Sequence, residues 1–154
     1  MKSNINKTII QKLLNQATKD GIQKIVVGAV IKRDDKFLLL KRAPFEFMGG
    51  LIELPSGTPD AGEDLLHALA REVKEETNLV VTVVIVYLGL FDYVSSSGKK
   101  TRQFNFLVKT GSGDIKLNPT EHCNYYLLNP SDKEFSKLNI SNGTKAVLSI
   151  AETK

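Results

Sequence analysis

The stretch GTPDAGEDLLHALAREVKEETNL, residues 57–79, decides the fold of this 154-residue chain. Its apolar side chains recur at helical spacing, at Leu65, Ala68, Leu69 and Val73. This periodicity predicts an amphipathic helix from about Gly62 to Thr77, with one face packed against a core. The helix follows a loop that is rich in proline and glycine, which are the residues that turns prefer.

Three glutamates stand close together on this predicted helix. Glu72, Glu75 and Glu76 are related by i, i+3 and i+4, so their carboxylates share one face within about 5–6 Å. Like charges at this spacing repel one another unless a cation neutralises them, and a carboxylate set without Cys or His suits Mg²⁺ better than zinc. The alternative is a solvated helix face without a ligand, and the triplet alone does not decide between the two.

The residues around the triplet resemble the Nudix signature, G-x5-E-x7-R-E-U-x-E-E-x-G-U, in which U is aliphatic. Eight of its nine specified positions match, and they are Gly57, Glu63, Arg71, Glu72, Val73, Glu75, Glu76 and Leu79. Asn78 stands in place of the last glycine, and Asn is the next most tolerant residue of a left-handed turn after a helix. A match of this length is expected by chance in on the order of one chain in 10⁵.

The resemblance covers about residues 22–152 and is closest to MutT-like members. It implies an α/β/α sandwich, in which a mixed β-sheet lies between helices. Residues 22–154 would form the Nudix hydrolase domain, and residues 1–21 an accessory N-terminal helix. The implied activity is metal-dependent hydrolysis of the pyrophosphate bond of a nucleoside triphosphate or another nucleoside diphosphate derivative, with Mg²⁺ or Mn²⁺ as the cofactor.

The resemblance also assigns roles to individual residues. Catalysis is expected from Arg71, Glu72, Glu75 and Glu121, and the alternative for Glu121 is a solvent-facing position in its loop. The metal ligands would be Glu72, Glu75, Glu76, Glu121 and the backbone carbonyl of Ser56, where the family usually has glycine. Glu72 is either a ligand or the base that activates water, and Glu63 should pair with Arg71 and hold Glu72 in position.

Substrate contacts are expected at three further positions, Arg42, Gly57 and Asn142. Arg42 ends a strand near the same loop, and a guanidinium binds phosphate oxygens in a bidentate fashion; a surface arginine at a strand end is the alternative. Asn142 begins the last helix, where MutT-like enzymes place an asparagine that reads the base; a simple helix cap is the alternative. His122, beside Glu121, could contact a phosphate but is interpreted as a surface histidine. Cys123 and the Tyr125-Tyr126 pair could line the cleft, although strand packing explains the tyrosines better.

Hydrophobic patterning predicts the remaining elements. An N-terminal helix is expected over Asn4–Asp20, stopped by Gly21 and docked through Ile9, Ile10, Leu13 and Leu14 on the domain or on a second copy in a homodimer. A hairpin turning at Arg33-Asp34-Asp35 follows. The predicted strands are Ile22–Lys32, Lys36–Arg42, Gly49–Leu54, Val80–Tyr93, Thr101–Thr110 and Tyr125–Leu128, and a closing helix is expected over Thr144–Glu152.

Composition excludes several classes of protein. Hydrophobic residues make up 42% of the chain and charged residues 25%, which is ordinary for one globular domain and too apolar for disorder. Runs such as Val83–Val86 are far shorter than the roughly 20 residues that cross a bilayer, and we recognise no secretion signal. Cys123 is the single cysteine, so a cytoplasmic setting is expected. The net charge of +4 suits an anionic substrate.

Three other functions compete with a MutT-like triphosphatase. The first is a pyrophosphatase of ADP-ribose or another nucleotide sugar, although Val80–Thr110 has no proline, where ADP-ribose-cleaving members tend to carry one. The second is a non-catalytic nucleotide-sensing module, which does not need an intact set of glutamates. The third is a nucleic-acid-end hydrolase that uses Lys99-Lys100 and Arg102, but without a basic stripe or interleaved aromatic residues a nucleic-acid partner is not expected.

Overall fold

The computed structural model describes all 154 residues, which form eight strands and three α-helices. In chain order these are β1 (Lys2–Ser3), α1 (Lys7–Lys19), β2 (Lys24–Arg33), β3 (Lys36–Arg42), β4 (Ile52–Glu53), β5 (Ser56–Gly57), α2 (Leu65–Thr77), β6 (Val81–Val94), β7 (Lys100–Thr110), β8 (His122–Leu128) and α3 (Asn142–Ala151). A 3-10 turn at Phe135–Lys137 precedes α3. None of the helices combines the length and the apolar character that crossing a membrane requires.

The sheet is mixed, as the sequence predicts. Its strands run in the order β1-β6-β7-β2-β3-β4, with β5 paired to β2 and β8 paired to β3. The β2–β7 and β1–β6 pairs are parallel, whereas β6–β7, β2–β3 and β3–β8 are antiparallel. The centre of the sheet is therefore formed by strands that are distant in sequence.

Helices cover both faces of the sheet, so the predicted α/β/α sandwich is confirmed. On one face α1 and α2 pack over a core that includes Ile10, Leu69, Val73, Phe104 and Phe106. On the other face α3 packs over a second core, which includes Phe37, Leu39, Leu107, Val147 and Leu148. Because residues of a strand alternate between faces, β7 contributes to both cores.

Capping explains where α2 begins and ends. The helix starts at Leu65, three residues after the predicted Gly62, because the Asp64 side chain accepts hydrogen bonds from the backbone N–H groups of Leu66 and His67. At the other end Asn78 adopts a left-handed φ of 67°. This is the conformation that the signature glycine would supply, so the replacement by Asn leaves the helix end intact.

The N-terminal helix ends in a Schellman motif and docks on its own domain. Gly21 has a φ of 72°, its N–H donates to the Thr18 carbonyl, and the N–H of Ile22 donates to the Ala17 carbonyl. Ile22 therefore belongs to this motif, and β2 starts at Lys24, later than predicted. The docking face comprises Ile10, Leu13, Leu14 and Ala17, whereas Ile9 is 45% exposed, so its predicted docking role is wrong.

The structure confirms the turn between β2 and β3 and moves the predicted start of β8. Asp34 and Asp35 both have positive φ, 50° and 61°, which is the geometry of a two-residue hairpin turn between β2 and β3. β8 begins at His122, three residues before the predicted Tyr125. The polar start His-Cys-Asn hides this strand from an analysis of hydrophobic patterning, but pairing with β3 extends it.

Candidate active site

Arg71 organises the carboxylates of α2. Its Nε and Nη2 each lie 2.9 Å from an oxygen of Glu63, so the predicted ion pair is present and is bidentate. The hydrogen bonds from Arg71 lower the pKa of Glu63 to about 2, and the carboxylates around Arg71 raise the pKa of its guanidinium. Both groups therefore stay charged at neutral pH. The Arg71 Nη2 also donates to the Thr58 carbonyl at 3.2 Å, which fixes the loop.

The same guanidinium holds two of the signature glutamates. Its Nη1 lies 2.8 Å from Glu72 Oε1 and 3.1 Å from Glu75 Oε2. The Glu72 carboxyl group lies directly over Gly57, where a Cβ atom would overlap it. The signature glycine is required here because only hydrogen fits between this strand and the carboxylate. Burial raises the pKa of Glu72, and the negative charges of Glu75 and Glu121 add to the effect.

Glu76 is the buried member of the triplet, with 3% of its surface exposed. Its Oε1 accepts a hydrogen bond of 2.7 Å from the backbone N–H of Ser56. This contact ties α2 to the strand whose carbonyl the resemblance names as a metal ligand. Burial raises the pKa of Glu76 to about 9, and the charges of Glu53, Glu121 and Glu72 contribute. Burial therefore disfavours the charged form of this carboxyl group unless a positive charge lies beside it.

His122 lies between two glutamates in the interior of the site. Its Nε2 is 2.9 Å from Glu53 Oε1, and its Nδ1 is 3.2 Å from Glu76 Oε2 without hydrogen-bond geometry. The ring is 3% exposed, so the interpretation as a surface histidine is wrong. The antiparallel pairing of His122 with Arg42 brings it here, and nothing in its local sequence indicates this position.

A cation would fit among these groups. Ligand atoms of Glu76, Glu121 and His122 lie within 4.8 Å of one another, and Glu121 is exposed at the mouth of the cluster. The buried Nδ1 of His122 has no hydrogen-bond partner. Burial raises the pKa of Glu72 and of Glu76, and the negative charge of Glu121 adds to both effects. The donor set is mostly carboxylate oxygen, which hard divalent cations prefer. Of the predicted ligands, the structure gathers Glu76 and Glu121 closely, while Arg71 holds Glu72 and Glu75.

A cavity of about 270 Å³ opens beside the carboxylates. It is lined by the polar side chains of Arg42, Glu53 and Gln103, by the N-terminus of α3, and by six apolar residues, Phe47, Met48, Leu51, Phe91, Tyr93 and Val94. A pocket with apolar walls and a few polar groups is typical of small-molecule sites. Glu53 connects this cavity to the candidate metal site, because the Glu53 carboxylate also contacts His122.

Arg42, a predicted substrate contact, lies in the cavity wall. Its Nη1 is 3.2 Å from each oxygen of Glu53, and its Nη2 is 3.7 Å from Glu46. The Nε atom is buried and has no hydrogen-bond partner. The guanidinium is thus anchored through Nη1, whereas Nη2 makes no hydrogen bond within the protein and is not buried, so it retains donors for an anion.

The structure places Asn142 next to the cavity but not in its lining. Asn142 is exposed, and its neighbours Ser141, Gly143 and Thr144 line the cavity instead. The helix cap is Ser141, whose side chain accepts from the Thr144 N–H at 3.2 Å, so the alternative interpretation of Asn142 as a cap is wrong. Cys123 and the two tyrosines of β8 do not line the cavity.

The surface offers little support for a nucleic-acid site. Arg102 is 7% exposed and binds Asp92 through two hydrogen bonds of 2.8 and 2.9 Å, so it is not part of a basic patch. A shallow depression of about 670 Å³ with an entirely polar lining includes Lys32, Arg33 and Lys109. It is larger than the cavity but contains none of the signature residues.

With this geometry established, comparison with known proteins identifies the family. The sequence profile of the NUDIX domain matches residues 23–143, and the chain therefore belongs to the NUDIX family. The MutT NUDIX hydrolase from Burkholderia pseudomallei is similar in structure, with a TM-score of 0.71 at 24% identity over 82% of this chain and 95% of that protein. At this identity the likeness concerns the fold.

Two named relatives are similar in sequence over a shorter region. An ADP-ribose pyrophosphatase from Methanocaldococcus jannaschii is 41% identical over 59 residues, which are 38% of this chain and 34% of that protein. A CTP pyrophosphohydrolase from Escherichia coli is 40% identical over 58 residues, 38% of this chain and 43% of that protein. The matched region thus spans less than half of either relative. The prediction of a Nudix hydrolase is confirmed at the level of the family.

Proposed function

We propose that this protein is a metal-dependent hydrolase that cuts the pyrophosphate bond of a nucleoside triphosphate. The observation that carries the proposal is one continuous site, in which the carboxylates around Glu76 adjoin a cavity lined by Arg42 and apolar residues. A pyrophosphate bond is protected by its own negative charge, so its cleavage requires cations on the phosphates and a positioned water. The site offers groups for both tasks and an apolar space for a nucleoside.

Each residue then has a task that follows from its contacts. Glu76, Glu121 and the Ser56 carbonyl, with Glu72 and Glu75, would hold Mg²⁺ or Mn²⁺, which when bound neutralises phosphate charge and lowers the pKa of water. Glu63 and Arg71 position the glutamates through the hydrogen bonds described above. Arg42 would contact a phosphate through its free donors. Glu72 is a ligand or the base that accepts a proton from the attacking water.

The direct test is a panel of nucleotides with the products separated by chromatography. We expect hydrolysis of nucleoside triphosphates with millimolar Mg²⁺ or Mn²⁺, and no turnover after the metal is removed, because carboxylates alone cannot stabilise phosphate charge. Full turnover in excess chelator would contradict the metal assignment. Absence of turnover with every nucleotide and metal would contradict the proposed activity.

Variants of the glutamates test the assignment of the site. Glu75→Gln and Glu76→Gln should each lower kcat by at least about 100-fold, because each removes a negative ligand while keeping the size of the side chain. Gln at position 76 still offers an oxygen to the Ser56 N–H, so the fold should persist in spite of the burial. Glu134→Gln on the exposed surface is the control. Near-normal rates in both variants would contradict the assignment of these glutamates to the metal site.

A nucleotide sugar is the second candidate substrate. The similarity to the ADP-ribose pyrophosphatase favours it, at 41% identity over 59 residues. The two candidates differ in their products, because a triphosphate releases pyrophosphate or phosphate, whereas ADP-ribose releases AMP and a sugar phosphate. The nucleotide panel therefore separates them in one experiment.

The intact carboxylates argue against a purely sensing module, because a protein that only binds nucleotides does not need a crowded metal site.

The N-terminal helix and the cysteine content bear on assembly and location. α1 buries its apolar face on its own domain, so no second copy is needed to cover this face. We also propose a cytoplasmic setting, which the lone Cys123 favours because it excludes an intrachain disulfide.

A further inference from the structure

Two amide side chains, those of Gln103 and Asn105, are buried on β7 beside the cavity. Gln103 is 6% exposed and Asn105 is fully buried. They are two residues apart and therefore lie on the same face of the sheet. Gln103 lines the cavity. Uncharged amides in a core are costly unless they are fully paired, so this pair requires an explanation.

The backbone determines which way Asn105 points. Its Nδ2 donates to the carbonyl of Gly89 and to the carbonyl of Gln103, both at 3.3 Å. Carbonyl oxygens only accept hydrogen bonds, so the NH₂ group must face them and the Oδ1 must face away. Gly89 has a φ of 116° at a register shift of β6, a backbone conformation that side chains disfavour.

Asn105 in turn determines which way Gln103 points. Asn105 Oδ1 accepts a hydrogen bond of 2.8 Å from Gln103 Nε2. The Gln103 Oε1 therefore faces the other way. It accepts no hydrogen bond from the protein, and the atom itself is not buried. A flip of the Gln103 amide would place two acceptors against each other, so the orientation is held. The cavity wall thus carries a fixed hydrogen-bond acceptor.

Glycine on the neighbouring strand makes room for this arrangement. A Cβ atom at Gly28 would overlap both Gln103 Nε2 and Asn105 Oδ1. On the other side, Phe91 is the register partner of Gln103 and lines the same cavity. An aromatic ring beside a fixed acceptor suits a planar, hydrogen-bonding group such as a nucleobase.

We propose that Gln103, held by Asn105, determines base specificity by accepting a hydrogen bond from an exocyclic amino group of the base. Cytosine and adenine carry such a group, whereas uracil and hypoxanthine present an oxygen at the same place. An oxygen there would meet the Gln103 oxygen and leave two buried acceptors unpaired, which a site of this kind rejects strongly. This inference rests on the proposed function, since it takes the cavity to hold the nucleoside.

The test compares pairs of nucleotides that differ at this group. For the wild-type protein kcat/KM should be at least about 10-fold higher for CTP than for UTP, and for ATP than for ITP. In Gln103→Leu the ratio should fall to within about 3-fold of unity, because the fixed acceptor is removed. Gln103→Met is the second variant, in case leucine disturbs folding.

The chain offers a matched control on α1. Gln11 Nε2 donates to Asn15 Oδ1 at 2.9 Å, which is the same amide pair on an exposed helix. Gln11→Leu should leave the CTP to UTP ratio unchanged. Calorimetric binding of CMP and UMP to wild-type protein adds a readout that needs no turnover, and CMP should bind at least about 10-fold more tightly.

The outcomes separate the inference from the function on which it rests. If the protein hydrolyses CTP and UTP equally, or if Gln103→Leu keeps the wild-type ratio, the specificity role is wrong and the hydrolase stands. If no nucleotide is hydrolysed but CMP binds more tightly than UMP and Gln103→Leu removes the difference, the proposed activity is wrong and the role of Gln103 stands.

Discussion

Gly57 shows how a single missing side chain determines the position of a catalytic group. Its hydrogen atom lies where a Cβ would overlap the Glu72 carboxyl group, and Glu72 is also held by Arg71. The glycine of the signature is therefore required by contact with Glu72, and not by left-handed backbone, because its φ is not positive.

Gly57→Ala is expected to displace Glu72 and to lower kcat by at least about 100-fold, since a shift of about 1 Å in a catalytic group has an effect of this size. The fold should survive, as the added methyl lies at the site. Gly111→Ala is the control, because a Cβ there meets no atom within 4 Å. Equal rates for the two variants would show that the position of Glu72 does not matter for turnover.

Helix capping and the predicted base recognition fall on two adjacent residues, Ser141 and Asn142, so variants can test the two roles separately. Ser141→Ala should lower the free energy of unfolding by about 1 kcal/mol, because it removes the cap of α3, while Asn142→Ala should leave it almost unchanged. Chemical denaturation of both variants measures this. If Asn142 reads the base, Asn142→Ala should change the ratio of kcat/KM between purine and pyrimidine triphosphates. An unchanged ratio would remove Asn142 from the substrate-binding set.

At the scale of elements, Arg102 fastens α1 to the sheet. It binds Asp92 on β6 and, through Nη1 at 2.8 Å, the Asp20 carboxylate at the end of α1. The hydrogen bonds from Arg102 hold the pKa of both carboxyl groups below their usual range. A carboxyl group with a lowered folded pKa stabilises the fold above its unfolded pKa of about 4, and this stabilisation is lost as the pH falls through the folded pKa.

Arg102→Met should therefore destabilise the protein more at pH 7 than at low pH. We expect the loss in Tm to shrink progressively as the pH falls below about 4, because protonation of the two carboxyl groups removes their ion pairs with Arg102. Thermal unfolding across this range measures it. Arg33→Met is the control, since Arg33 donates only to the Gly113 carbonyl. A loss in Tm that does not depend on pH would show that the effect comes from packing alone.

The N-terminal segment, residues 1–21, contributes apolar surface but no group of the site. Its deletion exposes the core that α1 covers, and we expect Tm to fall by more than about 5 °C or the protein to associate. The point variants Ile10→Ala and Ile9→Ala refine the test, because only Ile10 is buried. Metal binding measured by calorimetry should persist in the folded deletion variant, and its loss would contradict an accessory role.

The sequence predicts those parts of the site that are local in the chain. The spacing from Gly57 to Leu79 identifies the glutamates and the Glu63–Arg71 pair because a helix and its leading loop bring them together. His122, Glu53 and Gln103 escape prediction because their places depend on the pairing of β3 with β8 and of β2 with β7. No periodicity within one segment encodes such pairings.

The same reasoning explains which helices and strands were predicted correctly and why their ends were not. Hydrophobic pattern identifies the long strands and the amphipathic helices, whereas the α/β/α sandwich that they form was implied by the resemblance to the Nudix signature. Their ends depend on individual hydrogen bonds, such as those to Asp64 at α2 and around Gly21 at α1. The buried Arg102 was likewise hidden, because its two carboxylate partners lie on other elements.

The parallel pairing of β2 with β7 also has a consequence for how the protein is made. Lys24 pairs with Thr101 and Ile31 with Val108, so the central strand must wait for a partner 77 residues downstream. At about 5–20 residues per second, this delay on the ribosome is roughly 4–15 seconds. During that time the nascent chain exposes the apolar residues of β2 and β3. The glutamates of α2 are also synthesised before His122, which lies beside Glu76 in the folded protein. Newly made chains should therefore depend on chaperones until β8 has emerged, and translational pausing before residue 108 should lower the yield of folded protein.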